Sequence, residues 1–178
     1  LGSSFVPRIV ANVRNQMDPV KRDTQNILDS LRNQIPTLSE KLPPRRNILG
    51  FVQIYSGALG PDFVSPFYSQ TTTLDPVFEE MYKSEIKVSM PPRNLRGVKL
   101  SSAQYSELLS YMQQLGTYNK INNVISSPQY QNANKFLRGE IIRNIINKDQ
   151  EASRILFLRN NPDVLREFAN KRLENLTK

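Results

Sequence analysis

The sequence predicts a mainly α-helical chain: amphipathic helices at both ends, an extended proline-rich strap between them, and little or no β-structure. Three observations carry that prediction. Apolar residues recur at helical spacing over 20–35 and again from about 74 to the end. Ser, Asp or Asn followed by Pro punctuates the helical stretches at Asp18-Pro19, Asp75-Pro76, Ser127-Pro128 and Asn161-Pro162, the pattern of a cap followed by a first-turn proline. Residues 36–73 break the pattern, with Pro36, Pro43, Pro44, Pro61 and Pro66 alongside Gly50, Gly57 and Gly60. The expected organisation is therefore an N-terminal helical segment (1–35), an extended Pro-rich strap (36–73) and a helical module (74–178).

In chain order, Pro7 to Val13 starts a short helix. Asp18-Pro19 opens a longer one that aligns Val20, Ile27, Leu28, Leu31 and Ile35 on one face, turns Arg22, Asp23, Asp29 and Arg32 elsewhere, and ends at Pro36. In the strap, proline fixes φ and pushes the preceding residue out of the α region. Phe51, Tyr55, Phe63, Phe67 and Tyr68 nevertheless supply aromatic anchors, and Phe51 to Tyr55 has the makings of a short strand. The segment reads either as a strap laid along another surface or as a long loop folded onto its own helices.

Asp75-Pro76 leads a helix through Val77, Phe78, Met81, Tyr82 and Ile86 until Met90-Pro91-Pro92-Arg93 breaks it, and Arg96-Gly97-Val98 reads as a turn. Ser101 with Gln104 forms a capping-box pattern ahead of Tyr105, Leu108, Leu109, Met112 and Leu115, and Gly116 stops that helix. A short helix over 117–125 follows. From Ser127-Pro128 the chain reads as helical to about Asn160, with Phe136, Leu137, Ile141, Ile142, Ile145 and Ile146 on its apolar face. Asn161-Pro162 then caps a terminal helix bearing Val164, Leu165, Phe168, Leu173 and Leu176.

Composition removes much chemistry. Among 178 residues there is no Cys, His or Trp, which excludes disulfides, thiol nucleophiles, Cys- or His-built zinc sites and His-based general-base mechanisms. Glu79-Glu80 is the only adjacent carboxylate pair, and neighbours on a helix point about 100° apart. No glycine-rich phosphate loop or nucleophile elbow is present. The expectation is a chain without enzymatic activity, catalytic residues, metal or cofactor. No apolar run approaches the roughly 20 residues needed to span a bilayer, and the start at Leu1 carries no signal-peptide pattern. A soluble piece of something longer is the expectation.

The chain carries 24 basic and 16 acidic groups, net +8. Residues 1–50 and 135–178 each contribute +4, whereas 51–134 are neutral. Two basic ends suit an anionic partner, but the interspersed acids favour the plainer reading that these side chains solvate helix faces. The candidate contact residues for a protein partner or nucleic acid flank the proline turns: Pro43, Pro44, Arg45 and Arg46, then Pro91, Pro92, Arg93 and Arg96, with Lys99 nearby. Arginine suits fixed bidentate contacts with carboxylates, carbonyls or phosphates better than lysine does.

Ile35-Pro36-Thr37-Leu38-Ser39-Glu40-Lys41-Leu42-Pro43-Pro44-Arg45-Arg46-Asn47-Ile48-Leu49-Gly50 resembles a recurrent IPGLSxxLPPRRDxxG motif. That motif lies near the C-terminus of very large internal virion (DNA ejection) proteins of short-tailed bacteriophages. Further similar elements follow in the same order: Ser65-Pro66-Phe67, Asp75-Pro76-Val77, Val88 to Arg93, Gly97 through Leu100 to Tyr105, and Ser127-Pro128-Gln129-Tyr130. The resemblance covers roughly residues 5–130, with Thr37 in place of the usual Gly and Asn47 in place of the usual Asp.

The resemblance implies a structural and assembly module, carried in the virion and delivered to the host cell envelope with the genome. The partners it implies are sister copies in a homo-oligomer, other virion proteins (portal, internal core or tail), packaged DNA and the host envelope. A second reading is a nucleic-acid-binding or encapsidation segment of a giant virion protein such as a virion RNA polymerase.

Overall fold

A computed structural model of the chain describes residues 20–24, 42–53 and 75–176. The described chain is mainly helical, as the periodicity predicts. Its elements are α1 (Pro76–Lys83), β1 (Asn94–Leu95), β2 (Val98–Lys99), α2 (Ser102–Gln114), α3 (Thr117–Ile125), α4 (Pro128–Gln131), α5 (Lys135–Asn160) and α6 (Pro162–Leu176).

Several helix starts follow the sequence signals closely. Asp75 Oδ1 accepts the amides of Val77 and Phe78 ahead of first-turn Pro76. The capping box is complete: Ser101 Oγ accepts from Gln104 N at 3.2 Å, and Gln104 Oε1 accepts from Ser101 N at 2.9 Å. Gly116, at φ +69°, ends α2 and leads directly into α3. Arg96 and Gly97 form the two-residue turn between β1 and β2, both at positive φ, the conformation that matches the twist of a tight hairpin.

Three boundaries differ from expectation. The helix expected from Asp18-Pro19 does not include residues 20–24, which are extended: Lys21 N donates to Gln53 O, Asp23 N to Pro43 O, and Arg45 N to Lys21 O. Those long-range bonds occupy the backbone groups that a helix would use. Positions 25–35 lie outside the described residues, as does the short helix expected over 7–13. Helix α1 stops at Lys83 instead of reaching Met90. Glu85 takes φ +50°, with its amide bonded to Tyr82 O and that of Ile86 to Met81 O, so the helix closes in a Schellman motif with Ile86 and Met81 meeting in the core. The helix expected from Pro128 to Asn160 is broken at 132–134, where Asn134 caps a new start by accepting from Leu137 N. Phe136 and Leu137, in the first turn after that break, are exposed and do not join the apolar face.

Helix α5 spans 26 residues, about 39 Å, and together with α2 it forms the backbone of the fold. One core cluster joins Ile48 and Leu49 to Val77, Met81, Met112, Ile121, Tyr130, Ile142 and Ile146. A second gathers Leu95, Val98 and Leu100 of the hairpin region with Tyr105, Leu108, Phe157 and Val164. The seam of α5 runs Ile142, Ile146, Asp149, Ser153, Phe157, so two buried polar residues sit within an apolar stripe. Asp149 is satisfied by Thr117 Oγ1 at 2.8 Å and Lys120 Nζ at 2.8 Å, which fastens α3 to α5. Of the expected strap, residues 42–53 are described, and these fold onto the chain's own helices: Leu49 is fully buried. The remaining strap positions lie outside the described residues.

Candidate contact site between two proline-arginine segments

Residues 43–53 form a small hairpin. Arg46 and Val52 face each other in an antiparallel bridge, Asn47 N donates to Phe51 O, and Gln53 N donates to Arg45 O. The Asn47 side chain builds the turn by accepting the amides of Leu49 and Phe51, each at 3.0 Å. An aspartate carboxylate would accept the same two bonds, so Asn47 is a neutral replacement in this geometry. Gly50, at φ +88°, lets the hairpin lie directly on α2: a Cβ there would stand 2.5 Å from Leu109 O and 2.7 Å from Gln113 N.

The prolines contribute through what they lack. With no N–H, Pro43 and Pro44 offer only carbonyls, and these accept from Asp23 N and Ser106 Oγ. Pro91 is buried, and its carbonyl accepts from the Tyr105 hydroxyl at 2.8 Å. The two proline-arginine segments, some 45 residues apart in sequence, are thus pinned side by side on the first turns of α2.

Between them lies a cleft of about 210 Å³ whose charged walls are Arg45, Arg46, Arg93 and Asp23, with Tyr105 and Ser106 from α2. Arg93 is held on two sides. Its Nη2 donates to both oxygens of Asp23, at 2.6 and 2.7 Å, and its guanidinium lies over the Tyr105 ring, 4.2 Å from the centroid. Arg46 donates to Gly50 O at 2.7 Å and to Ser106 Oγ at 3.3 Å. Burial lowers the pKa of Arg46, because desolvation disfavours its charged form. Burial raises that of Tyr105, and the neighbouring charges of Arg93 and Arg45 oppose that shift. Arg45 is exposed, and its guanidinium makes no hydrogen bond or ion pair with any described residue. Across residues 20–24, 42–53 and 90–93, five cations (Lys21, Arg22, Arg45, Arg46, Arg93) stand against the single anion Asp23.

Four of the candidate contact residues therefore line one cleft: Pro44, Arg45, Arg46 and Arg93. Pro43 and Pro91 brace it from behind. Pro92 is exposed beside it, and Arg96 sits apart at the tip of the β1–β2 turn. Arg46 and Arg93 make their carboxylate and carbonyl contacts within the chain itself. Asp23, Tyr105 and Ser106 were not singled out from sequence. Tyr105 carried only the signal of a core stripe, and Asp23 that of a solvated helix face.

Acids of α1 are engaged structurally. Glu79 pairs with Lys83, while Glu80 accepts from Ser84 and from Tyr130. Among the described residues no group of three or more acids could hold a metal ion, and no helix is long and apolar enough to cross a membrane. No protein-family model, curated protein or solved structure matches this chain.

Proposed function

We propose that the chain is a structural and assembly module of an internal virion (ejection) protein of a short-tailed bacteriophage. In this reading it docks onto sister copies, the portal or the internal core, and helps deliver the genome into the host. The observation that carries the reading is the ordered series of motif elements from Ile35 to Tyr130. Within that series, the two proline-arginine segments are neighbours, each held on α2 through a backbone carbonyl: Pro44 O accepts from Ser106 and Pro91 O from Tyr105. Such segments act as a scaffold for contact, with their carbonyl acceptors and the guanidinium groups of Arg46 and Arg93 committed to holding shape. Support for oligomer formation comes from large apolar side chains left at the surface: Tyr82 (77% exposed), Phe136 (74%), Leu173 (62%) and Ile155 (60%).

Mass spectrometry of purified particles, before and after triggered genome release, tests the reading. The parent protein is expected in filled particles and lost from emptied ones. Its absence from filled particles would overturn the proposal. Sedimentation of the 178-residue chain supplies a second check, with self-association expected and a compact monomer at all concentrations counting against it.

A further inference from the structure

We propose that the cleft between the two proline-arginine segments binds a single phosphate group. The inference goes beyond the assembly reading and stands if that reading fails, since it rests only on the chemistry of the cleft wall.

Three arginines line the cleft from two segments, and Asp23 is the one carboxylate among its described lining residues, leaving that lining at net +2. A phosphate monoester carries about −1.5 to −2 charge at neutral pH and presents three acceptor oxygens. Charge and valence therefore match. A planar carboxylate matches less well, because a single arginine nitrogen already spans one, as Arg93 does with Asp23. At about 210 Å³ the cleft has room for an oxyanion and is smaller than the pockets that enclose drug-sized ligands.

The cations are also largely set in place beforehand. Arg93 is fixed by Asp23 and Tyr105, and Arg46 by Gly50 and Ser106. Little side-chain entropy remains to be lost on binding, which lowers the cost of capture. The exposed guanidinium of Arg45, which bonds to no described residue, is the arm that closes on the ligand. Burial leaves the Arg46 charge poorly solvated, and a phosphate beside it would favour the charged form.

The test is isothermal titration of the full chain with inorganic phosphate. Saturable binding is expected, weakened about tenfold in Arg45→Ala, the loss of one charge-assisted contact. Arg166→Ala, which removes an exposed arginine from α6 away from the cleft, is expected to bind like the parent. Absence of saturable binding, equal losses in both variants, or no loss in Arg45→Ala would overturn the proposal. So would stronger displacement of phosphate by an oligoglutamate peptide than by a phosphate monoester.

Competition by short single-stranded DNA with and without a 5′-phosphate separates the sources, each result upholding the site. Displacement only by the phosphorylated strand assigns a terminal phosphate, equal displacement by both assigns backbone phosphates, and displacement by neither assigns a free phosphate or nucleotide.

Discussion

Arg93 holds both carboxylate oxygens of Asp23 across 70 residues of chain, at 2.6 and 2.7 Å. Asp23 is buried, whereas the Arg93 side chain is 37% exposed, so solvent screens the pair from one side. Asp23→Ala is expected to cost about 1–3 kcal/mol, since it removes hydrogen bonds to a charged group and leaves the part-buried Arg93 without this carboxylate, while the backbone bonds of the 20–24 segment remain. A double-mutant cycle with Arg93→Ala in urea denaturation should give a coupling near 1 kcal/mol. Simple additivity of the two changes would mean that the contact contributes nothing.

Gly50→Ala should be among the most damaging substitutions in the described chain. The position combines φ +88° with a virtual Cβ 2.5 Å from Leu109 O, and backbone atoms cannot swing aside. Left-handed strain and overpacking together give about 3 kcal/mol. Thermal or urea unfolding checks this, and a change within 0.5 kcal/mol, roughly the range of neutral surface substitutions, would refute the close packing of the hairpin on α2.

Tyr130 is buried and donates to Glu80 Oε1, and burial first, then this hydrogen bond and the Glu80 charge, push its pKa well above 10. The folded state therefore keeps the phenolic proton where the unfolded chain has lost it. Stability from this group is intact below about pH 10 and falls above it, by about 1.4 kcal/mol per pH unit. Tyr130→Phe should cost about 1 kcal/mol at neutral pH and decline less steeply above pH 10. Parallel alkaline profiles for the two proteins would show that the proton is not retained.

Arg96 occupies the first position of the β1–β2 turn at φ +50°, a conformation that asparagine adopts more readily. Arg96→Asn creates the favoured Asn-Gly pair and should stabilise the protein by about 0.5–1 kcal/mol. A loss of stability would mean that the arginine side chain has a structural role at the hairpin tip.

Local rules were legible where the interaction is itself local. The Asp75 cap, the Ser101–Gln104 box, the Gly116 stop and the Arg96-Gly97 turn each involve residues within four positions, and each was readable in the chain. Length of run was less legible. Helix α1 ends early because Glu85 accepts a left-handed conformation so that Ile86 can reach Met81, and no glycine announces it. Val20 to Thr24 carried helical spacing but went extended, because partners at Pro43, Arg45 and Gln53 took up the backbone groups.

Of the cleft, sequence alone supplied the arginines and the prolines, since those residue types and their turn settings are local properties. That 43–46 and 90–93 come together, that Arg93 turns inward to Asp23 while the Arg45 guanidinium bonds to none of the described residues, and that Tyr105 lends its ring were decided by packing on α2. The physical reason is that helix caps and turns are fixed by energies within a few residues, whereas the direction of an arginine depends on which distant carboxylate, carbonyl or ring the folded chain sets beside it.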